Sequence, residues 1–257
     1  MRTPWLSGSP AWADAPLRLF CFAHAGGGAA FYWPWRAALQ PEIGVCSVVL
    51  PGRESRQHDE PYTSMSELIG PLSQALVPYT DRPFAFFGHS LGSIVAYEAA
   101  RRLTEGWGRQ PCCLMVSGRR APHLAARRPP LHRLVDGQFL AGVAAFGGTP
   151  PEVLRDRGVV ELLIKSLRAD FELNETYGWL AGPGLSCPVS AFMGDDDIEV
   201  SRWEMAAWQE VTTGPFTLRT FAGGHFYLKG PCGPLLAAVR HDLTPWMSGE
   251  SARTDVR

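Results

Sequence analysis

Of all segments in this 257-residue chain, Gly88-His89-Ser90-Leu91-Gly92 most restricts what it can fold into. An apolar run at 83–87 precedes it, and a helix-compatible, alanine-bearing run at 94–103 follows. Strand, abrupt turn and helix are expected in immediate succession, with the serine at the corner. Flanking glycines remove the β-carbons that would collide in so sharp a turn, so Ser90 is expected in a strained conformation with its hydroxyl exposed. A serine hydroxyl is barely nucleophilic at neutral pH, so this placement requires a base and an orienting carboxylate elsewhere in the chain.

Both occur, in the order Ser, Asp, His. Gly223-Gly224-His225-Phe226 follows a strand-like run at 216–221, and Gly194-Asp195-Asp196-Asp197 follows an apolar run at 189–193. That order is used by α/β-hydrolases and differs from those of chymotrypsin-like and subtilisin-like proteases. Asp197 is selected as the acid because it stands a few residues past the strand-ending glycine and just ahead of a helix-like segment at 201–211. Asp195 and Asp196 then read as turn formers or caps. Near the N-terminus, the strand-like run 17–23 enters His24-Ala25-Gly26-Gly27-Gly28, a turn able to aim backbone amides at a reacting carbonyl. The Leu91 amide is expected as one oxyanion-hole donor, and that of Ala25 or its neighbour Gly26 as the other. This loop has neither G-x-G-x-x-G nor a Walker lysine, which argues against a nucleotide cradle.

Apolar runs of strand length alternate with amphipathic segments along the chain, so the expected fold class is α/β: a mostly parallel central sheet with helices on both faces. Strands are expected at 45–50, 84–87, 113–117, 189–193 and 216–221 besides 17–23. Helices are expected at 65–79, 93–102, 201–211 and 235–243. Between the strand ending near 117 and that starting near 189, the connection far exceeds an ordinary crossover, which predicts a helical lid insertion at about 119–185 in a single domain, 1–257. Within it, 136–146 and 159–174 read as helices separated by Gly147-Gly148-Thr149-Pro150-Pro151. Phe139, Leu140, Phe146, Leu163, Leu167, Phe171 and Tyr177 are candidates for an acyl pocket or for packing the insertion onto the body. Phe31-Tyr32-Trp33-Pro34-Trp35 anchors the first helix. The first dozen residues and the tail after Ser248 read as frayed ends.

Five ordered motifs carry a resemblance: Phe22-Ala23-His24-Ala25-Gly26-Gly27, Leu50-Pro51-Gly52-Arg53, Gly88 to Gly92, Gly194 to Asp197, and Gly223-Gly224-His225-Phe226-Tyr227. Together they resemble the type II thioesterases, free-standing editing hydrolases of polyketide and non-ribosomal peptide assembly lines, over residues 17–240. The family's usual prolines are replaced by Ala23 and by Ile198 after the acid. The resemblance implies an α/β-hydrolase fold and hydrolysis of acyl groups from the phosphopantetheine thiol of carrier proteins, with Ser90, His225 and Asp197 as the triad. It implies a transient acyl or peptidyl carrier partner and no cofactor or metal. Medium-chain fatty acyl release, a generic serine esterase and a silent acyl-carrier scaffold are the competing readings.

Composition is compatible with this. A formal charge of -1 speaks against a global field for nucleic acid, and 46% hydrophobic residues suffice for one substantial core. The start lacks a basic segment followed by an apolar stretch, and eighteen apolar residues never run together, so a cytoplasmic monomer that neither enters nor spans a membrane is expected. Cys21, Cys46, Cys112, Cys113, Cys187 and Cys232 lie in or beside apolar runs without a C-x-x-C pair and read as buried free thiols. Arg119, Arg120, Arg127 and Arg128 crowd the start of the insertion, either to steer an acidic carrier or as a solvated charged face.

Overall fold

The protein's structure is a computed structural model, which describes residues 3–7, 10–148, 155–230 and 232–247. Seven strands form one sheet: β1 (Leu6–Ser7), β2 (Leu17–Phe22), β3 (Ile43–Val48), β4 (Phe84–His89), β5 (Cys113–Ser117), β6 (Val189–Gly194) and β7 (Phe216–Phe221). Their spatial order is β1-β3-β2-β4-β5-β6-β7, and every pairing is parallel except that of β1 with β3. Strands β2 to β6 are buried throughout, as continuous apolar runs in a sheet covered on both faces must be.

Alternation along β4 shows how one strand feeds two cores. Phe84 and Phe86 point to the face covered by helices α2 (Met65–Leu76) and α3 (Leu91–Trp107), whereas Ala85 and Phe87 meet α1 (Trp33–Leu39) and α7 (Gly233–Leu243) on the other. Phe20, Phe22 and Phe86 pack edge to face with centroids 5.1–5.8 Å apart. Tyr32 and Trp35 are fully buried against Phe87, and the Tyr32 hydroxyl donates to the Phe22 carbonyl at 2.9 Å, which fastens α1 to the sheet as expected.

Element identities match the sequence reading, with three departures. The helix expected at 65–79 runs through Pro71 to Leu76 and tightens into a 3-10 turn over Val77–Tyr79, which holds Pro78. The one at 201–211 splits into α6 (Arg202–Ala206), opened by a Ser201/Glu204 capping box, and a 3-10 turn over Ala207–Val211. Of the first dozen residues, those described are tied down: β1 pairs with β3, and Trp5 and Trp12 are each 8% exposed. Two large aromatic rings supply burial that a tally of polar residues and prolines conceals. The tail after Ser248 lies outside the described residues.

Between β5 and β6 runs the insertion, carrying α4 (Asp136–Ala145) and α5 (Arg157–Glu175). Its apolar cluster is small: Phe139, Val143, Leu167 and Phe171. Ala121, Leu173 and Leu185 join the main core, and ion pairs add links within the insertion and to the body. Arg53 pairs with Asp170, Lys165 with Glu60, Arg168 with Asp136, and His132 with Glu175. Gly147 and Gly148 of the expected inter-helix breaker follow α4, and residues 149–151 of it lie outside the described ones.

Candidate active site

Parallel strands end on one edge of the sheet, and the loops leaving β2, β4, β5, β6 and β7 there bring the sequence's candidates together. Ser90 sits between β4 and α3 at φ 54°, ψ -120°, backbone that a residue with a β-carbon rarely adopts. Surrounding bonds hold it there: the Ser90 amide donates to the Ser117 carbonyl at 2.8 Å, and the Ser93 hydroxyl donates to the Gly88 carbonyl at 2.8 Å. The two flanking glycines are required. A β-carbon on Gly88 would overlap the Gly92 carbonyl, and one on Gly92 would overlap that of Phe22.

His225 and Asp197 come from the loops after β7 and β6. Asp197 Oδ2 lies 2.9 Å from His225 Nδ1, and its Oδ1 accepts the Glu199 amide at 2.8 Å, so both carboxylate oxygens are engaged. Asp195 instead accepts the Gly223 amide at 2.8 Å, and the Asp196 amide donates to the Gly223 carbonyl at 3.0 Å. Those two residues shape the turn that presents His225. With its Nδ1 side held by the carboxylate, the imidazole's Nε2 is left to face the cavity. Ser90 and His225 line the same cavity of ≈ 230 Å³, and their side chains are not hydrogen-bonded to one another.

Beneath His225 lies a polar stack that the sequence reading missed. His89 Nδ1 meets the Ser117 hydroxyl at 2.9 Å, and that hydroxyl meets the Tyr227 hydroxyl at 2.8 Å. The rings of His89 and His225 are 4.9 Å apart. Burial, together with the charges of neighbouring His225 and His24, holds His89 well below the ordinary histidine value. Burial drives His24 down to about 3, with Lys229 and His225 adding to the effect. Both are therefore neutral at physiological pH.

At the glycine-rich turn after β2, the Gly26 amide donates to Asp170 Oδ2 at 2.7 Å, so it is already engaged. Ala25 lines a second, narrower cavity with Ser90, Leu91 and His225, and the Leu91 amide, in the first turn of α3, has no intrahelical acceptor. This leaves the Leu91 and Ala25 amides, rather than that of Gly26, available to an oxyanion. Asp170 belongs to α5 of the insertion and is also gripped in bidentate fashion by Arg53, whose Nη1 donates to the Gly27 carbonyl at 2.9 Å. One carboxylate thus joins the insertion, the Leu50-Pro51-Gly52-Arg53 segment and the turn. A signal was present in the sequence: Asp170 and Asn174 fall on the stripe of α5 that otherwise carries Leu167 and Phe171.

Among the candidates for an acyl pocket, Phe146 and Phe171, with Val143 from α4, line the narrower cavity. The others serve elsewhere. Phe139 is buried within the insertion's own cluster, which Leu140 borders, and Leu167 packs there and against Gly26. Leu163 is 42% exposed, and the Tyr177 hydroxyl donates to Glu98. The four arginines also divide. Arg127 pairs with Glu204, Arg128 with Glu199, and Arg120 Nε donates to the Leu124 carbonyl, whereas Arg119 is buried. A uniform solvated face is not what they form.

Strand order, a serine at a strained strand-to-helix corner, and a histidine backed by a carboxylate define an α/β-hydrolase fold with a serine-hydrolase site geometry. The model of the thioesterase domain family matches residues 17–240, and the chain belongs to that family of thioester hydrolases. Thioesterase PikA5 of Streptomyces venezuelae is 41% identical over 217 residues, covering 84% of this chain and 77% of the relative. Linear gramicidin dehydrogenase LgrE of Brevibacillus parabrevis is 38% identical over 248 residues, 95% of this chain and 94% of the relative. Among solved structures, the type II thioesterase BorB from the borrelidin biosynthetic cluster superposes with a TM-score of 0.85 at 40% identity, covering 93% of this chain and 97% of that one.

Proposed function

We propose that this protein is a type II thioesterase that hydrolyses stalled or aberrant acyl groups from the phosphopantetheine thiol of carrier proteins in polyketide or non-ribosomal peptide biosynthesis. The observation that carries the reading is the strained Ser90 sharing a cavity with an imidazole whose Nδ1 is fixed by Asp197. Similarity to BorB and PikA5 over most of the chain supports the substrate class. A nicotinamide-dependent reading, which the name of LgrE invites, meets a glycine turn without the G-x-G-x-x-G spacing of a dinucleotide loop.

In this reading His225 Nε2 takes the Ser90 proton as Oγ attacks the thioester carbonyl, while Asp197 orients the ring and stabilises the imidazolium. The Leu91 and Ala25 amides hold the oxyanion; losing one such donor costs about 3–4 kcal/mol of transition-state stabilisation. Collapse of the adduct breaks the C–S bond, and His225 gives its proton to the departing thiolate. Water, deprotonated by the same imidazole, then cleaves the acyl-Ser90 ester to release a carboxylic acid. The protein's own groups perform each step without a metal or cofactor. The partner is a transient acyl or peptidyl carrier protein, the enzyme a monomer in one domain. No helix among the described residues is long and apolar enough to cross a membrane, and the free cysteines suit a reducing cytoplasm.

The test is single-turnover hydrolysis of acyl-carrier protein, with the acyl-enzyme trapped at Ser90 and read by mass. Turnover of simple esters in preference to carrier-bound thioesters would replace this reading with a generic esterase.

A further inference from the structure

Arg119 stands apart from the arginines around it. It follows Gly118 at the end of β5, where a β-carbon on Gly118 would come within 3.1 Å of His225 Cε1, so the residue starts beside the reacting groups. Its backbone is pinned, because Trp208 Nε1 donates to the Arg119 carbonyl at 2.6 Å. Its residue exposure is 8%, and it lines the cavity that holds Ser90 and His225. Among the described residues that guanidinium has no hydrogen-bond or ion-pair partner, and Nε is buried and orphaned. The nearby acid, Glu204, is already committed to Arg127 and Ser201.

An unpaired buried cation costs several kcal/mol, and native proteins keep such groups paired or reserve them for a ligand. Burial and the adjacent Arg120 pull Arg119 down to about 9, which still leaves it cationic at neutral pH. Asn174, on α5, lines the same cavity, and its buried Oδ1 has no donor. A cation and an acceptor left without partners at one cavity suit a ligand that carries both an anion and an N–H group.

We propose that Arg119 is an anion-binding subsite of the active-site cavity, receiving an oxyanion borne by the thioester substrate while Asn174 accepts an amide N–H of its pantetheine portion. The oxyanion is either a carboxylate at the far end of a short acyl group or the phosphate of the arm. This rests on Ser90 being the thioester nucleophile, and hydrolysis of a neutral thioester by the unaltered enzyme tests that separately.

Three substrates distinguish the sources: butyryl-N-acetylcysteamine, which has neither anion; succinyl-N-acetylcysteamine, which has the carboxylate; and butyryl-phosphopantetheine, which has the phosphate. Arg119→Gln is expected to lower kcat/KM at least about 30-fold for one anionic substrate and less than about 3-fold for the neutral one. Arg119→Lys, which keeps the charge, restores part of that loss. Loss on the succinyl substrate identifies the carboxylate, and loss on the phosphopantetheine substrate the phosphate. An equal loss on all three, or on none, overturns the proposal. Should Arg119→Gln fail to fold, the unaltered enzyme still decides: succinate or free phosphopantetheine must competitively inhibit hydrolysis of butyryl-N-acetylcysteamine, and inhibition by neither overturns it.

Discussion

The central sheet and the insertion at 118–188 are built by different means. In the sheet, five strands in succession are buried on both faces and their aromatic rings pack edge to face. The insertion has a four-residue apolar cluster of its own, sends Ala121, Leu173 and Leu185 into the main core, and is tied to the body by ion pairs as well, of which the buried Arg53–Asp170 pair ends at the Gly26 amide. The sheet thus fixes where Ser90, Asp197 and His225 stand, and the insertion fixes how the glycine-rich turn and the cavity walls meet them. Apolar burial gives stability that is indifferent to fine geometry, whereas a bidentate ion pair transmits position from one element to another.

The largest effects test what the sheet positions. Ser90→Ala and His225→Ala are each expected to lower kcat by about 10⁶ with melting temperature little changed, measured by release of free thiol from an acyl-carrier substrate. Asp197→Asn comes next, at about 10⁴, because the ring loses its tautomer and orientation while the nucleophile remains. Asp195→Asn and Asp196→Asn should stay far nearer the unaltered enzyme. A variant of either that is worse than Asp197→Asn would mean that the 2.9 Å contact to His225 is not the one that matters.

A matched pair then separates the two construction modes. Phe86→Ala removes a buried ring from the sheet and is expected to cost about 3–5 kcal/mol of stability in denaturant titration, with kcat per folded molecule nearly intact. Asp170→Ala leaves Arg53 buried without its partner and should cost a comparable about 3–5 kcal/mol, but with a large fall in kcat because the Gly26 turn is released. If Asp170→Ala lowers stability alone, the insertion is only a cover and the contrast drawn above fails.

What could be read from the sequence follows the same division. Strands β2 to β7, the Ser90 corner and the placement of Asp197 and His225 at strand ends were legible, since period and chain order encode them locally. Among the three adjacent aspartates, position past the strand-ending glycine pointed to Asp197, whose carboxylate lies 2.9 Å from His225, while Asp195 binds the Gly223 amide. The Asp170 carboxylate could be seen as an odd polar residue on the α5 stripe, but its role was not legible, because that depends on Arg53 and Gly26, both more than a hundred positions away in the chain. Likewise, four arginines close together read as one basic cluster, and only packing shows that Arg119 turns inward while Arg127 and Arg128 face acids. Trp5 and Trp12 were overlooked for a related reason: two isolated rings have no period.

A pH-dependent effect concerns His24 and His89, which belong to the sheet's edge and contact the turn that the insertion holds. Burial, first, and neighbouring positive charge lower both, His24 to about 3, whereas an unfolded histidine titrates near 6.5. The unfolded chain therefore binds more protons than the native one between these values. Stability conferred by keeping the rings neutral is complete above pH about 6.5 and declines as pH falls below it, for His24 down to about 3, by up to about 1.4 kcal/mol per pH unit for each ring. Denaturant titrations from pH 7 to pH 4.5 should show this slope, and His24→Gln should remove one ring's share while leaving the plateau above pH 7 in place. A slope unchanged by His24→Gln would mean that this buried ring does not carry the acid sensitivity.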